Sequence, residues 1–196
     1  MSMYQGNPFV NINILENPKQ RSVMEILSCS DNHYPLVKWL LDKYGDEVDL
    51  RQQDMYGLSP LANAAKCGTV NIAKDLIQRD PTLINDKIYY TSMYVAIIFR
   101  NMEMVKLLLD SGADVQLMCG GNMRKTIADY CKELSGSDAK TLEIKSMIME
   151  VAYRSCGISN ALVVARNDSG ICLDETDVME CGGLSGMPLL SQSTDI

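Results

Sequence analysis

A single histidine, His33, and seven cysteines without one Cys-x-x-Cys spacing leave little material for a metal centre or for acid–base chemistry. The odd cysteine count also argues against a disulfide framework and for reduced thiols. No stretch approaches the roughly 18 to 20 uncharged apolar residues that a membrane helix needs. The opening segment, MSMYQGNPFVNINILENPKQ, lacks the basic run and apolar stretch of a secretory signal. Positive charge is scarce where it would matter. From residue 157 onward six acids face one base, Arg166, so this region carries −5 of the net −7. The remainder is close to neutral and has no basic stripe to neutralise phosphates, which disfavours nucleic acid as a partner. These scarcities predict a cytoplasmic protein in a reducing environment that uses neither membrane, nucleic acid, metal nor cofactor.

What the chain does have is a core and a repeat. Hydrophobic residues make up 46% of it, enough to bury a core. Residues 104–115, MVKLLLDSGADV, read as an amphipathic helix closed by a glycine turn. One constant shift along the chain lays Ile72 on Met104, Leu76 on Leu108 and Ile77 on Leu109. The same shift carries Asp54 to Asp86, Ser59 to Thr91, Leu61 to Met93 and Ala64 to Ala96. A single offset therefore matches a whole unit.

The better-formed copy is residues 54–85. Asp54 and Gly57 predict a turn, with glycine free to take positive φ. Ser59 suits a helix cap and Pro60 the first helical position. Leu61, Ala64 and Ala65 share one face, small enough for a neighbouring helix to approach closely. Gly68 ends that helix, and Ile72, Leu76 and Ile77 form the apolar face of a second. Two short helices in about 33 residues cannot bury both faces alone, so the units must stack.

On Gly57, SPLANAA (59–65), Gly68 and EMVKLLLDSGADV (103–115), the sequence resembles the ankyrin repeat family. The family has Thr where Ser59 stands and usually His where Ala62 stands; without that His, a side chain that ties neighbouring loops is missing. Two weaker units flank the pair. Upstream, residues 34–45 match a second helix with Val37, Leu40 and Leu41 inward, preceded by a first helix over 22–29. Downstream, residues 125–134, opening on Thr126, and 142–152 form a terminal pair whose Lys/Glu surface suits a water-facing cap. The resemblance thus implies an all-α, ankyrin-type solenoid of about four helix-turn-helix repeats (20–53, 54–85, 86–116 and 117–154) joined by short hairpin-like loops. An irregular lead covers 1–19. An acidic tail, expected to be largely flexible, covers 155–196, with ALVVA (161–165) as an apolar exception.

The resemblance also implies protein partners held by the loop tips and the open face of the first helices. Tip positions are Asp54, Met55 and Tyr56 in one unit and Lys87, Ile88 and Tyr89 in the next. Exposed helix positions are Asn63, Lys66 and Cys67, which the repeat offset turns into Val95, Ile98 and Phe99. Apolar residues thus stand where water is expected. Val95, Ile98, Phe99 and Tyr130, flanked by Tyr56, Tyr89 and Tyr90, have the composition of an interface core; the competing reading is that the repeat is rotated, or that the lead or ALVVA covers them. Arg100 replaces a helix-ending glycine. The chain closes on Thr194, Asp195 and Ile196, a form that can add as a strand to a PDZ domain.

The expected function is that of a non-enzymatic adaptor, scaffold or inhibitor. A viral or bacterial effector working in host cytoplasm is one alternative. An enzyme, or an enzyme's regulatory subunit, using Cys29 and His33 is another; it would need an accessible, acidic thiol, and nothing nearby supplies a third, orienting group. The Gly-rich CGGN (119–122) lacks the Gly-Lys-Ser/Thr ending of a phosphate loop and reads as the finger entering the last repeat. The thirteen methionines read mostly as adaptable core filler.

Overall fold

A hydroxyl marks the start of each repeat. In a computed structural model of the chain, which describes residues 22–86, 89–121, 123–136 and 138–155, four helix pairs begin on Ser22, Ser59, Thr91 and Thr126. Each side-chain oxygen accepts from a backbone N–H three positions on (Glu25, Ala62, Tyr94 and Asp129). The pairs are α1 (Val23–Leu27) with α2 (Tyr34–Tyr44), α3 (Pro60–Cys67) with α4 (Val70–Arg79), α5 (Ser92–Ile98) with α6 (Met102–Asp110), and α7 (Ile127–Glu133) with α8 (Ala139–Ser155). Such caps typically stabilise a helix by about 1 kcal/mol each, which matters for helices this short. The first compact unit runs to Ala152; of Tyr153–Ile196 only residues 153–155, the end of α8, are described. The lead and the tail, with ALVVA and residues 194–196, lie outside the described residues.

The first helices form one row, α1 against α3 against α5, and the second helices another, α2 against α4 against α6. The faces expected to point inward do so. Val37, Leu40, Leu41, Leu61, Ala64, Ala65, Ile72, Leu76, Ile77, Met104 and Leu108 are all buried in one continuous core. Gly68 ends α3 in the left-handed region at φ 76°, and Arg100, at the equivalent position of the next repeat, does the same for α5 at φ 54°.

Polar side chains tie successive repeats where the family's histidine is missing. Thr69, at the start of α4, donates from Oγ1 to the Ser28 carbonyl at 2.7 Å. Its counterpart Asn101, at the start of α6, donates from Nδ2 to the carbonyls of Ala65 (2.6 Å) and Lys66 (2.9 Å). Asn85 spans two loops, donating to the Gly112 carbonyl and accepting from the Asp114 N–H. Arg51 binds Asp80 at 2.8 Å and Asp86 at 2.7 Å, joining the loop before α3 to the 3-10 turn Pro81–Asn85 and the residue after it.

The last finger is a two-stranded antiparallel ribbon, β1 (Met118–Gly120) with β2 (Met123–Thr126). It pairs with the finger before it through a bridge between Tyr90 and Gly120, the Thr91 N–H donating to the Cys119 carbonyl and the Gly121 N–H to the Tyr89 carbonyl. Gly120 has φ 105°, and a Cβ there would lie 2.1 Å from the Tyr89 oxygen. Cys119, Gly120 and Gly121 therefore lie in a finger as expected, and the physical need for glycine at 120 is this close backbone approach.

Candidate functional site

The first exposed tip is held by its own aspartate. The Asp54 carboxylate accepts from the N–H groups of Tyr56 (2.9 Å) and Leu58 (3.0 Å), while the Gly57 N–H donates to the Asp54 carbonyl (2.9 Å). This Asx-type turn leaves Met55 and Tyr56 exposed. At the next tip Tyr89 occupies the position of Gly57, and its exposed ring packs on Gly57: a Cβ added there would meet the ring at 2.6 Å. Lys87 and Ile88, also expected at this tip, lie outside the described residues.

A column of rings runs inward from Tyr89. It meets Tyr90 edge-on at 4.7 Å, Tyr90 stacks on Tyr94 at 5.9 Å, and Tyr94 meets Tyr130 edge-on at 5.1 Å. Tyr90 and Tyr130 are half-buried and Tyr94 is buried, its hydroxyl donating to the Met123 sulfur at 3.5 Å. Burial pushes the Tyr94 phenol up to about 12 and raises that of Tyr130. Sequence reasoning missed Tyr94, which lies in the first turn of α5 and meets Met123 and Tyr130 of the next unit. Beside Tyr130 a cleft of about 340 Å³ opens between β2 and α7, walled by Met123, Lys125 and Leu134. Met118, on the ribbon, is exposed and was also missed.

A second apolar pair sits at the other end of α5, roughly 10 Å away at 1.5 Å per residue. Ile98 and Phe99 are exposed, Phe99 by 48%, and the Lys66 ammonium lies 5.6 Å from the Phe99 ring centroid. Cys67, the residue after Lys66 at the end of α3, is also exposed. The expectation that Val95 faces water does not hold, nor does that for its counterpart Asn63. Val95 is 3% exposed and Asn63 1%. Both lie one turn before the helix end, inside the row where α1, α3 and α5 press together, and Asn63 donates to the Leu58 carbonyl. The single patch expected from sequence is thus two separate exposed groups, the tips (Met55, Tyr56, Tyr89) and the helix end (Ile98, Phe99).

Cys29 is half-buried and donates its S–H to the Glu25 carbonyl at 3.4 Å. His33 is half-buried in the 3-10 turn Asp31–His33 that leads into α2. Among the described residues no group of three or more His, Cys, Asp or Glu is placed to hold a metal ion, and no helix is long and apolar enough to cross a membrane. Residues 25–119 match the model of a protein family described as ankyrin repeats, in three copies. Repeats of this family are in general modules for protein–protein interaction and are typically not enzymes. No curated protein matches the chain at a significant level.

Proposed function

We propose that this chain, an ankyrin-repeat protein, is a non-enzymatic adaptor, scaffold or inhibitor that lays a protein partner across its second and third repeats. The observation that carries the reading is the exposure of Met55, Tyr56, Tyr89, Ile98 and Phe99 on consecutive units of one array. Large apolar and aromatic side chains in such a cluster supply binding energy at low entropic cost, because the backbone beneath them is fixed by caps and inter-repeat hydrogen bonds. Tyr56 and Tyr89 act as anchors at the tips. Phe99, with Lys66 over its ring, forms the lower contact, and the cleft beside Tyr130 takes a partner side chain. The mechanism is occlusion or tethering, with no bond made or broken. The odd cysteine count supports a reducing, cytoplasmic setting for this work.

The test is affinity capture from cell lysate with the full chain and with Tyr56→Asp and Phe99→Asp. Both variants stay folded, with the parent's circular dichroism, and lose the captured partner. Retention of the partner by both variants, or unfolding of both, would overturn the assignment.

A further inference from the structure

Aligning the repeats on their caps exposes an anomaly at one end of the array. The N-caps Ser22, Ser59 and Thr91 place Val23 with Pro60 and Ser92, and Ile26 with Asn63 and Val95. The buried residues Leu40, Leu76 and Leu108 place Leu36 with Ile72 and Met104. In the second and third repeats all six of these positions are buried; Ile72 and Met104 are 0% exposed. In the first repeat Val23, Ile26 and Leu36 are exposed, Leu36 by 48%. The fourth repeat supplies the control. Its Ile127, the counterpart of Val23 after the Thr126 cap, is 1% exposed, and Tyr130, the counterpart of Ile26, is half-buried under the preceding repeat's Tyr94. Burial at these positions therefore follows the presence of a preceding repeat, and the first repeat has none among the described residues.

The uncovered face is apolar. One turn along α2 from Leu36, the Trp39 ring is 49% exposed, with the Lys43 ammonium 5.0 Å from its centroid. At the opposite end, α8 instead presents Lys140, Glu143 and Ser146 to water, with Leu142 as its one large exposed apolar side chain. An end that faces solvent for good carries such polar residues.

We propose that this face is a docking site for residues 9–15 of the same chain. That segment, FVNINIL, is apolar but for Asn11 and Asn13, which alternate with Val10, Ile12 and Ile14. In an extended conformation those three apolar residues would share one side, with the asparagines on the other. Residues 16–21 join it to Ser22, and a linker of that length spans up to roughly 20 Å, ample to lie across two helices about 10 Å apart. A second copy is a poor occupant. The four half-exposed side chains offer on the order of 300 Å², against about 800 Å² per partner in a stable interface. A tethered segment needs no such area, because it forgoes the entropy loss of joining separate molecules.

Trp39 is the chain's only tryptophan, so its fluorescence reads this face alone. In the full chain, acrylamide quenching of Trp39 is expected to be weak and independent of protein concentration. Ile12→Asp with Ile14→Asp raises the quenching constant roughly twofold, as contacts over the ring are lost, while Asn11→Asp with Asn13→Asp leaves it unchanged. Amide hydrogen exchange in the unmodified chain supplies a reading that needs no variant: residues 10–15 are protected. Equal quenching in parent and Ile12/Ile14 variant, unprotected amides over 10–15, or shielding that appears only as protein concentration rises would each overturn the proposal, the last in favour of a second copy.

Discussion

The side-chain amide of Asn101 donates to the Ala65 carbonyl at 2.6 Å, closing the end of one repeat's first helix from the start of the next repeat's second. It donates again to Lys66 at 2.9 Å, and the equivalent Thr69 treats Ser28 in the same way. Neither side chain caps its own helix. Asn101→Ala therefore removes two inter-repeat hydrogen bonds and is expected to lower stability by about 2 kcal/mol, read as a drop in the urea midpoint. Asn101→Asp does worse, since it replaces both donors with a carboxylate facing two carbonyl oxygens.

Arg100 and Gly68 end equivalent helices in the same left-handed conformation, yet only one is glycine. Arg100→Gly is expected to stabilise the fold by about 1 kcal/mol, because the left-handed region costs a side-chain-bearing residue about that much. The surface ion pair with Asp138, 3.3 Å away, offsets only part of the gain. Gly68→Ala should lose a similar amount, and its Cβ would sit 3.3 Å from Asn101 Oδ1. Thermal melts of the two variants should move in opposite directions.

Val95 and Phe99 lie one turn apart and separate packing from recognition. Val95→Asp buries a carboxylate in the helix row and is expected to cost several kcal/mol, enough to melt the third repeat. Phe99→Asp loses at most the contact with Lys66, roughly 0.5–1 kcal/mol, and keeps the parent's circular dichroism. Equal destabilisation by the two would mean that Phe99 is core.

Gly120→Ala tests the joint between the last two fingers. The methyl group would fall within 3 Å of the Tyr89 carbonyl oxygen and the Tyr90 Cα, and φ 105° is closed to alanine. The Tyr90–Gly120 bridge should open, with faster hydrogen exchange at the Thr91 and Gly121 amides and weaker capture of any partner that needs Tyr89.

Alkali should act on the ring column. Tyr94 keeps its proton to about 12 in the folded chain, against 10.0 ordinarily, and burial likewise lifts Cys119 to about 11 and Cys131 to about 12 from 9.0. Between these values the folded state binds more protons than the unfolded one. Stability from these groups is therefore complete below about pH 9 and falls as pH rises from about 9 through 12. Guanidinium midpoints measured across the alkaline range should decline, and less steeply for Cys131→Ala.

The repeat was legible because its phase is written in local chemistry: a hydroxyl before each first helix and apolar residues three and four apart. The caps at Ser59, Thr91 and Thr126 and the burial of Leu76 and Leu108 follow from neighbours within one turn. Exposure at the candidate site was legible at the tips and at Ile98 and Phe99. Tyr56 and Tyr89 project from turns whose geometry is local, whereas the burial of Val95 depends on a helix in the neighbouring repeat. Tyr94, Asn101 and the Tyr90–Gly120 bridge were missed for the same reason. Each acts across a boundary between units, and no single unit records what its neighbour will press against it.

The pairing of Tyr90 with Gly120 limits how freely the array can be edited. A cassette inserted between the third and fourth repeats would separate two backbones that share hydrogen bonds and leave the Thr91 and Gly121 amides without acceptors. The second and third repeats meet at their tips through a ring resting on a glycine, a junction that any unit carrying the same two residues could reproduce. The downstream seam is therefore the one where backbone hydrogen bonds, and not side chains alone, join two fingers.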